Sequence, residues 1–582
     1  MNTIYKLVWN ASQRVWVVAG EFSKSKKKSS KSGLVSSVIV TSLTLCTFSS
    51  LAEMSGTQEK ILNDEGIILT QPSDLNAKGT EIQGKDAWHL SGIGNISYNQ
   101  AIIDLGTVIH GGHGIHGGTG ISGHNVSIIN ESIIEGGGDE GYPHGDTGGT
   151  AIRGYNLAII NYDYISGGYS NTGGYGIKGG KLRIENEGTI VGGEGRQSGG
   201  AGITGVDMKI RNSGQISGGD ATTDKGGTAI YSMNSSITNS GIIWGGMGNL
   251  RGGTGILSGS DLQAFSTNIE NSGRISGGYS SNTGGAAISS QHNDKGTIFI
   301  ANSGEIAGGY GTYRGGDAIS GHNMTIINTG NITGGYGSLG GGTGIWGYNM
   351  NIVNNGVIAG GLNAHEDVST AIYVTKGKNY LTLNPGSVIS GELYKAPAAF
   401  LSVVVNDGAT FNLSGQSQSV TNISNSGTVL INGIGADQLL NTPITFTGDM
   451  YLEKTGRVVI NNNASNVGQT WIQNGNWTGH GGTVYLGTVL GDDNSKTDHL
   501  EITGHASGTT YVAVTNVNGI GAPTMEGIKL ISTGSSDKDA FVQKGRIVAG
   551  MYDYYLQQGS ATGKDMNSWY LTREFEPVHR FV

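Results

Sequence analysis

An Asn-x-Gly-x-Ile-x-Gly-Gly block, or a close variant of it, returns along this chain at a nearly constant interval, and no other feature limits the fold as much. Its Asn stands at Asn130, Asn161, Asn186, Asn212, Asn239, Asn271, Asn302, Asn328 and Asn354, with steps of 31, 25, 26, 27, 32, 31, 26 and 26 residues. Asp104, in "IIDLGTVIHGG", sits 26 residues before Asn130 as a tenth member. A period between about 20 and 50 residues marks a solenoid or a propeller, whose units bury their apolar faces only against one another.

The strand pattern inside the unit selects between the two. The unit "GGTGIWGYNMNIVNNGVIAGG" holds three short strand-like pieces, around Thr343–Trp346, Met350–Val353 and Val357–Ala359. Each places apolar residues on alternation (Ile345; Met350 and Ile352; Val357 or Ile358), and each stops at Gly or Asn. Three strands with three corners make one rung of a parallel β-helix, whereas a propeller blade needs four longer strands in about 40–45 residues. Leucine-rich repeats would need Leu ladders that are missing here, and helix is disfavoured because interior Gly costs about 1 kcal/mol each. The expected fold is all-β, a right-handed single-stranded parallel β-helix with a C-terminal cap. At about 25 residues per rung, residues 53–570 give roughly 20 rungs and a rod near 100 Å.

Composition closes off other uses of glycine. Glycine is 104 of 582 residues and proline 7, against about 7% and 5% in an average chain. Collagen needs glycine at every third place and abundant proline. A flexible linker would not carry Ile and Val at regular places. Segments such as "GGYSNTGGYGI", "GGDATTDKGGTAI" and "GGYGSLGGGTGI" vary between their Gly-Gly pairs, as loops on one edge of a rung can. The strands cannot vary so, because a one-residue slip turns their apolar faces outward.

The recurring Asn has two readings, both structural. Stacked rungs lie about 4.8 Å apart, so equivalent Asn side chains can hydrogen-bond along the axis as a ladder. Alternatively the Asn tolerates a left-handed turn itself. The Gly two places later is expected to turn a corner with φ > 0.

The first 52 residues read as an address. "KSKKKSSK", Lys24–Lys31, precedes the apolar run "GLVSSVIVTSLTLCTF", which ends in small residues at Ser50-Leu51-Ala52. Basic, apolar, small is the order of a secretory signal peptide. Ahead of it stand Met1, Asn2, Tyr5, Trp9, Asn10 and Trp16. That pattern resembles the extended signal-peptide region of large exported Gram-negative surface proteins, mainly autotransporters. Cys46 is the only cysteine, so the mature chain would carry none and could form no disulfide on its route. Seven bases and one acid give this segment +6, which leaves −15 of the total −9 to the remainder. An acidic body argues against nucleic acid as a partner.

Past Lys395 the repeat degrades, and residues 396–478 read as degenerate rungs after the Gly-rich 53–395. Residues 479–572 read as a less repetitive region. Its stretch Leu490–Leu500, "LGDDNSKTDHL", with "GRIVAGMYDYYL" and "SWYLT", resembles the pertactin-like C-terminal passenger region of autotransporters. The resemblance implies a cap and autochaperone. Trp471, Trp477, Tyr552, Tyr554, Tyr555, Trp569 and Tyr570 suit the closing of a core, and an uncapped β-helix end would leave an open edge strand. The family continues into an outer-membrane barrel, and residues 573–582 read as a truncated linker towards it. The translocator is expected to be absent through truncation, through the chain being a passenger fragment, or through export by another protein.

Candidate chemistry is sparse. His110, His113 and His116 lie three apart with His124 and His144 nearby, but loop His is the commoner outcome than a metal site. Asp139, Glu140 and Asp146 share one loop without a sustained calcium-binding period, and read as solvated charge. No acid column or nucleophile elbow recurs, so no catalytic residue, metal or cofactor is expected. Tyr279, Tyr310 and Tyr336 each follow a Gly-Gly pair in consecutive rungs, and Tyr169 does so earlier. Equivalent slots stack, so these rings are expected to form an exposed aromatic stripe for ligand contact, or a stack that only stabilises the solenoid. The resemblance implies a passenger at the surface of a Gram-negative cell. It would act as an adhesin towards a host glycan or protein, or towards the same protein on a neighbouring cell, and would rely on an outer-membrane barrel and assembly machinery. The alternatives are a polysaccharide-degrading β-helix enzyme and a non-functional truncated autotransporter.

Overall fold

The computed structural model describes residues 108–573 except 140–145, 260–263, 291–294, 414–415, 432–442 and 462–465, with the backbone of short strands before residue 104. The export segment 1–52 apart from the strands Tyr5–Asn10 and Val15–Gly20, together with Asp104, Glu140, His144 and the 574–582 tail, lies outside the described residues. The chain divides into units of residues 1–59 and 60–582, and the β-helix belongs to the second.

Three strands build each early rung, as in Ile152–Tyr155, Ala158–Asn161 and Tyr164–Ser166. Each pairs in parallel with its counterpart one rung on: Ile152 with Ile177, Asn161 with Asn186, Ile165 with Ile190. In two later rungs the first two strands run together, as Ile319–Asn328 and Ile345–Asn354. The third strands stack separately into a sheet of 12 strands, while the others form one of 35. The solenoid makes about 15 turns. The expected 20 assumed a uniform 25-residue rung from residue 53, whereas the steps between ladder Asn residues reach 32.

Isoleucine fills the interior in columns. Ile177, Ile203 and Ile230 head one, Ile184, Ile210 and Ile237 a second, and Ile190, Ile216 and Ile243 a third, all fully buried. Each such side chain contributes about 1.5–3 kcal/mol on leaving water. Its β-branch suits the pleated wall. In the third strand of the last Gly-rich rung it is Ile358, not Val357, that turns inward.

The Gly-Gly pairs have a role the sequence did not reveal. The pairs flanking each variable loop come together at a neck. Their backbones hydrogen-bond in a zigzag up the stack: Gly253 N–H to the Gly246 carbonyl, Gly278 to Gly253, Gly285 to Gly278, Gly309 to Gly285, each at 2.8–2.9 Å. A Cβ on Gly278 would overlap the Gly246 carbonyl, so only glycine fits this spine. The loops beyond the neck leave the barrel wall and stack on each other as a ledge, Gly248 bridging Ser280, Ser280 bridging Gly311, and Gly311 bridging Gly337.

The corner assignment needs correction. The Gly two places after the ladder Asn, present from Asn186 onward, does not turn with φ > 0; it lies against the preceding rung, where a Cβ on Gly241 would strike the Gly214 carbonyl. The left-handed corner lies five residues before the ladder Asn instead, at Asn125, Asn156, Lys181, Asp207, Asn234, Asn323 and Asn349, with φ of 51–59°. Asn and Asp adopt this conformation at low cost.

Nor does a new architecture begin at residue 479. Parallel pairing crosses it, with Trp477 opposite Ala506, Val484 opposite Val512 and Thr510 opposite Phe541. These rungs lose the Gly-Gly necks but keep the alternation of buried residues, so they continue the stack. The chain turns antiparallel afterwards, where Trp569–Thr572 pairs with Tyr552–Gln558 and with Ile528–Ser536 and covers the end.

Candidate binding surfaces

The ladder asparagines lie inside the wall. Asn130, Asn161, Asn186, Asn212, Asn239, Asn271, Asn302, Asn328 and Asn354 are all buried. Each Nδ2 donates to the next Oδ1, at 2.7–2.8 Å from Asn130 through to Asn354. Most also donate to backbone carbonyls of their own and the next rung; Asn239 reaches Gly241 O at 3.1 Å and Arg274 O at 3.2 Å. None of them occupies the left-handed region. This column satisfies corner carbonyls and presents nothing to solvent.

The tyrosines stand on the ledge. Tyr279 stacks on Tyr310 and Tyr310 on Tyr336, with ring centroids 5.2 Å apart and planes within 11° and 13° of parallel. Tyr279 and Tyr310 are each 44% exposed, and Tyr336 is half-buried. Met247 occupies the same slot one rung before and Leu362 one rung after, both exposed, so the apolar stripe spans five consecutive rungs. Leu250, Tyr313 and Leu339 add exposed apolar surface at the tips of the same loops. Sequence reasoning missed these five because it sought tyrosine directly after a Gly-Gly pair; aligning whatever residue follows each pair would have found Met247 and Leu362. Tyr169 lies apart, beyond Glu194 and Asp220 in that column, and its hydroxyl accepts from Arg196 Nε at 3.0 Å.

The remaining candidates separate in space. His110 pairs with Glu135 at 2.9 Å, His116 Nδ1 lies 3.1 Å from Thr147 Oγ1, and His113 Nδ1 accepts from the Gly138 N–H at 3.4 Å. His124 stacks on Tyr155. Asp139 is not solvated as expected: its carboxylate is buried against Arg196 at 3.3 Å, while Asp146 is exposed. Ser290 Oγ and His322 Nδ1 are 3.2 Å apart, a nucleophile–base distance, yet both side chains are buried in the wall.

In the C-terminal region two carboxylates hold loops by their backbones. Asp498 is buried and accepts from the Gly468, Gln469 and Gly487 N–H groups at 2.7–2.9 Å and from Asn461 at 3.2 Å. Burial pushes its carboxyl above the ordinary value, against the pull of those donors. Burial also raises Asp493, but there the N–H groups of Glu526, Gly527 and Met525 prevail and hold it below the usual range. Both belong to the "LGDDNSKTDHL" stretch singled out above.

Comparison with known proteins follows the same lines. Residues 1–50 match the model of the Extended Signal Peptide of Type V secretion system, and residues 450–556 match Autochaperone Domain Type 1. The chain is 43% identical over 106 residues to the adhesin BmaC autotransporter of Brucella suis biovar 1 (strain 1330), covering 17% of this chain and 3% of BmaC. It is 45% identical over 98 residues to the autotransporter adhesin AIDA-I of Escherichia coli, covering 17% and 8%. It is 35% identical over 191 residues to the uncharacterized protein YuaQ of Escherichia coli (strain K12), covering 33% and 12%. These alignments span at most 12% of the length of the three relatives. The crystal structure of the autotransporter UpaB from Escherichia coli strain CFT073 aligns over 87% of this chain and 100% of its own, at 16% identity and a TM-score of 0.32. With a type V export signal at one end and an autochaperone domain closing a parallel β-helix, the chain is an autotransporter passenger, exported to the surface of a Gram-negative bacterium.

Proposed function

We propose that this passenger is an adhesin whose contact surface is the ledge stripe from Met247 through Tyr279, Tyr310 and Tyr336 to Leu362. The observation that carries it is an apolar, stacked aromatic row left exposed on loops that the core does not need. Aromatic anchors dominate binding energy at protein surfaces. Repetition at rung spacing turns weak individual contacts into strong attachment. The partner is a glycan or protein of the host surface, or the same protein on a neighbouring cell, and an outer-membrane barrel with its assembly machinery delivers the passenger. Two of the relatives above are themselves named adhesins.

The test replaces Tyr279, Tyr310 and Tyr336 together by Ser in cells that export the chain. Attachment to host cell monolayers should fall several-fold while circular dichroism of the purified passenger stays that of a β-helix. Attachment at the original level would overturn the proposal. Lost clumping between bacteria with attachment intact would move the partner from host to neighbour.

A further inference from the structure

Eight, seven and six residues before each ladder Asn, the early rungs carry an outward, an inward and an outward position. At the inward place stand Gly154 and Gly179, whose Cβ atoms would overlap the carbonyl of the preceding rung. Their backbone forms the floor of a groove of about 760 Å³ that runs over the wall between the two outward columns. One bank carries Arg153 and Lys178, paired in register on adjacent rungs. The other carries His124 and Tyr155, stacked at 5.3 Å and 19°. Gly180 continues that second bank without a side chain, and the Tyr155 ring lies against it, where a Cβ would come within 3.1 Å; Lys181 Nζ lies 5.3 Å over the same ring.

We propose that this groove binds an anionic sugar chain, its acidic groups on Arg153 and Lys178 and its ring faces against Tyr155 and His124. No Asp or Glu lines the groove, although the chain beyond residue 52 carries a net −15. Among the described residues neither Arg153 nor Lys178 forms a salt bridge; Lys178 Nζ lies 4.3 Å over the Tyr175 ring. Cations repeated at rung spacing suit a polymer with acids at intervals, and flat rings suit the apolar faces of its sugars. A nucleic acid would ask for a longer basic stripe. The inference rests on the cell-surface placement of the passenger but not on the tyrosine ledge, which occupies later rungs.

The experiment uses the purified exported chain with three polymers: heparin (sulfated), polygalacturonate (carboxylate only) and neutral dextran. Arg153→Ser with Lys178→Thr installs side chains of the kind that Ser122 and Thr204 already place in that column, so the stack is kept. The wild-type chain should bind an acidic polymer and not dextran. The double variant should bind about tenfold more weakly, with a shallower dependence on salt. Preference for heparin assigns sulfate as the recognised group, and preference for polygalacturonate assigns uronate. Equal binding of dextran, no binding of either acidic polymer, or unchanged affinity in the double variant overturns the proposal. Loss of polymer binding in the Tyr279, Tyr310 and Tyr336 triple variant, with the double variant unaffected, would move the site to the ledge and leave adhesion standing.

Discussion

Asn239 donates to Asn271 Oδ1 at 2.8 Å and accepts from Asn212 Nδ2 at 2.8 Å, so each ladder amide is both donor and acceptor in a buried chain. Asn239→Ala takes the Asn239 donor away from Asn271 Oδ1 and from the Gly241 and Arg274 carbonyls inside the wall. We expect a loss of about 3 kcal/mol, read from the midpoint of urea unfolding. Asn239→Asp should be worse at neutral pH, because a carboxylate cannot donate to Asn271 or to the carbonyls of Gly241 and Arg274. A carboxyl placed there would have a folded pKa raised above its unfolded one. Its penalty is therefore absent below the unfolded value and grows as pH rises through the window between them, so acid should bring the stability of Asn239→Asp back towards that of the alanine variant. Glycine separates two cases as sharply. Gly278→Ala forces a methyl into the Gly246 carbonyl and should cost roughly 1–3 kcal/mol. Gly340→Ala, on the ledge with nothing within 4 Å of its Cβ, should be neutral or stabilising by up to about 1 kcal/mol. Thermal unfolding of the pair checks both.

Elements differ in what sets their stability. In the Gly-rich rungs it is stacking of near-identical strands, while the cap depends on charged groups that tie separate loops together. Glu526 accepts from Thr562 and Lys564, which hold its carboxyl down to about 2 from an ordinary 4.5. Asp493 is lowered as well. A carboxylate whose folded pKa lies below its unfolded one lends stability above the unfolded value and loses it as pH falls through the folded one. The cap should thus weaken between about pH 4.5 and 2. Asp498, raised by burial, acts in the opposite sense just above the ordinary range and blunts part of the loss. Tryptophan fluorescence of Trp471, Trp477 and Trp569 during urea unfolding at pH 7 and pH 3 should show it, and Glu526→Gln should make the two curves more alike. A cap equally stable at both pH values would show that these loop ties carry little.

Across the solenoid, the sequence disclosed whatever repeats and concealed whatever depends on where the backbone goes between repeats. Period, strand number, interior isoleucines and the stacking of Tyr279 on Tyr310 follow from alignment on a single Asn. The left-handed Asn156 could have been separated from ladder Asn161 by its fixed offset of five residues, but two Asn of one type in one rung look alike until the corner is seen. The glycine necks escaped because they are made by missing side chains, which give no apolar or charged signal, and the groove beside Arg153 escaped because it appears only when outward residues of adjacent rungs are set in register. The change of composition near residue 479 is real, yet the stack crosses it because parallel rungs need alternation and not identity. That continuity bears on folding. A one-dimensional stack nucleates where the interface between neighbours is strongest, and the best-filled neighbours lie at the end, where Phe446 stacks on Trp471 at 5.8 Å and Phe541 meets Trp569 edge-on at 5.4 Å. A chain ending at Leu452 would expose the strand Ile444–Leu452 as an open edge. On dilution from urea it should give far less soluble β-structure than the full chain. Adding Tyr451→Lys, a charge on the outward face of that edge strand, should restore solubility, because it blocks edge-to-edge pairing. It should leave refolding slow, because the aromatic nucleus is still gone; recovery of the full-chain rate by that one charge would show that the cap protects an edge and does not start folding.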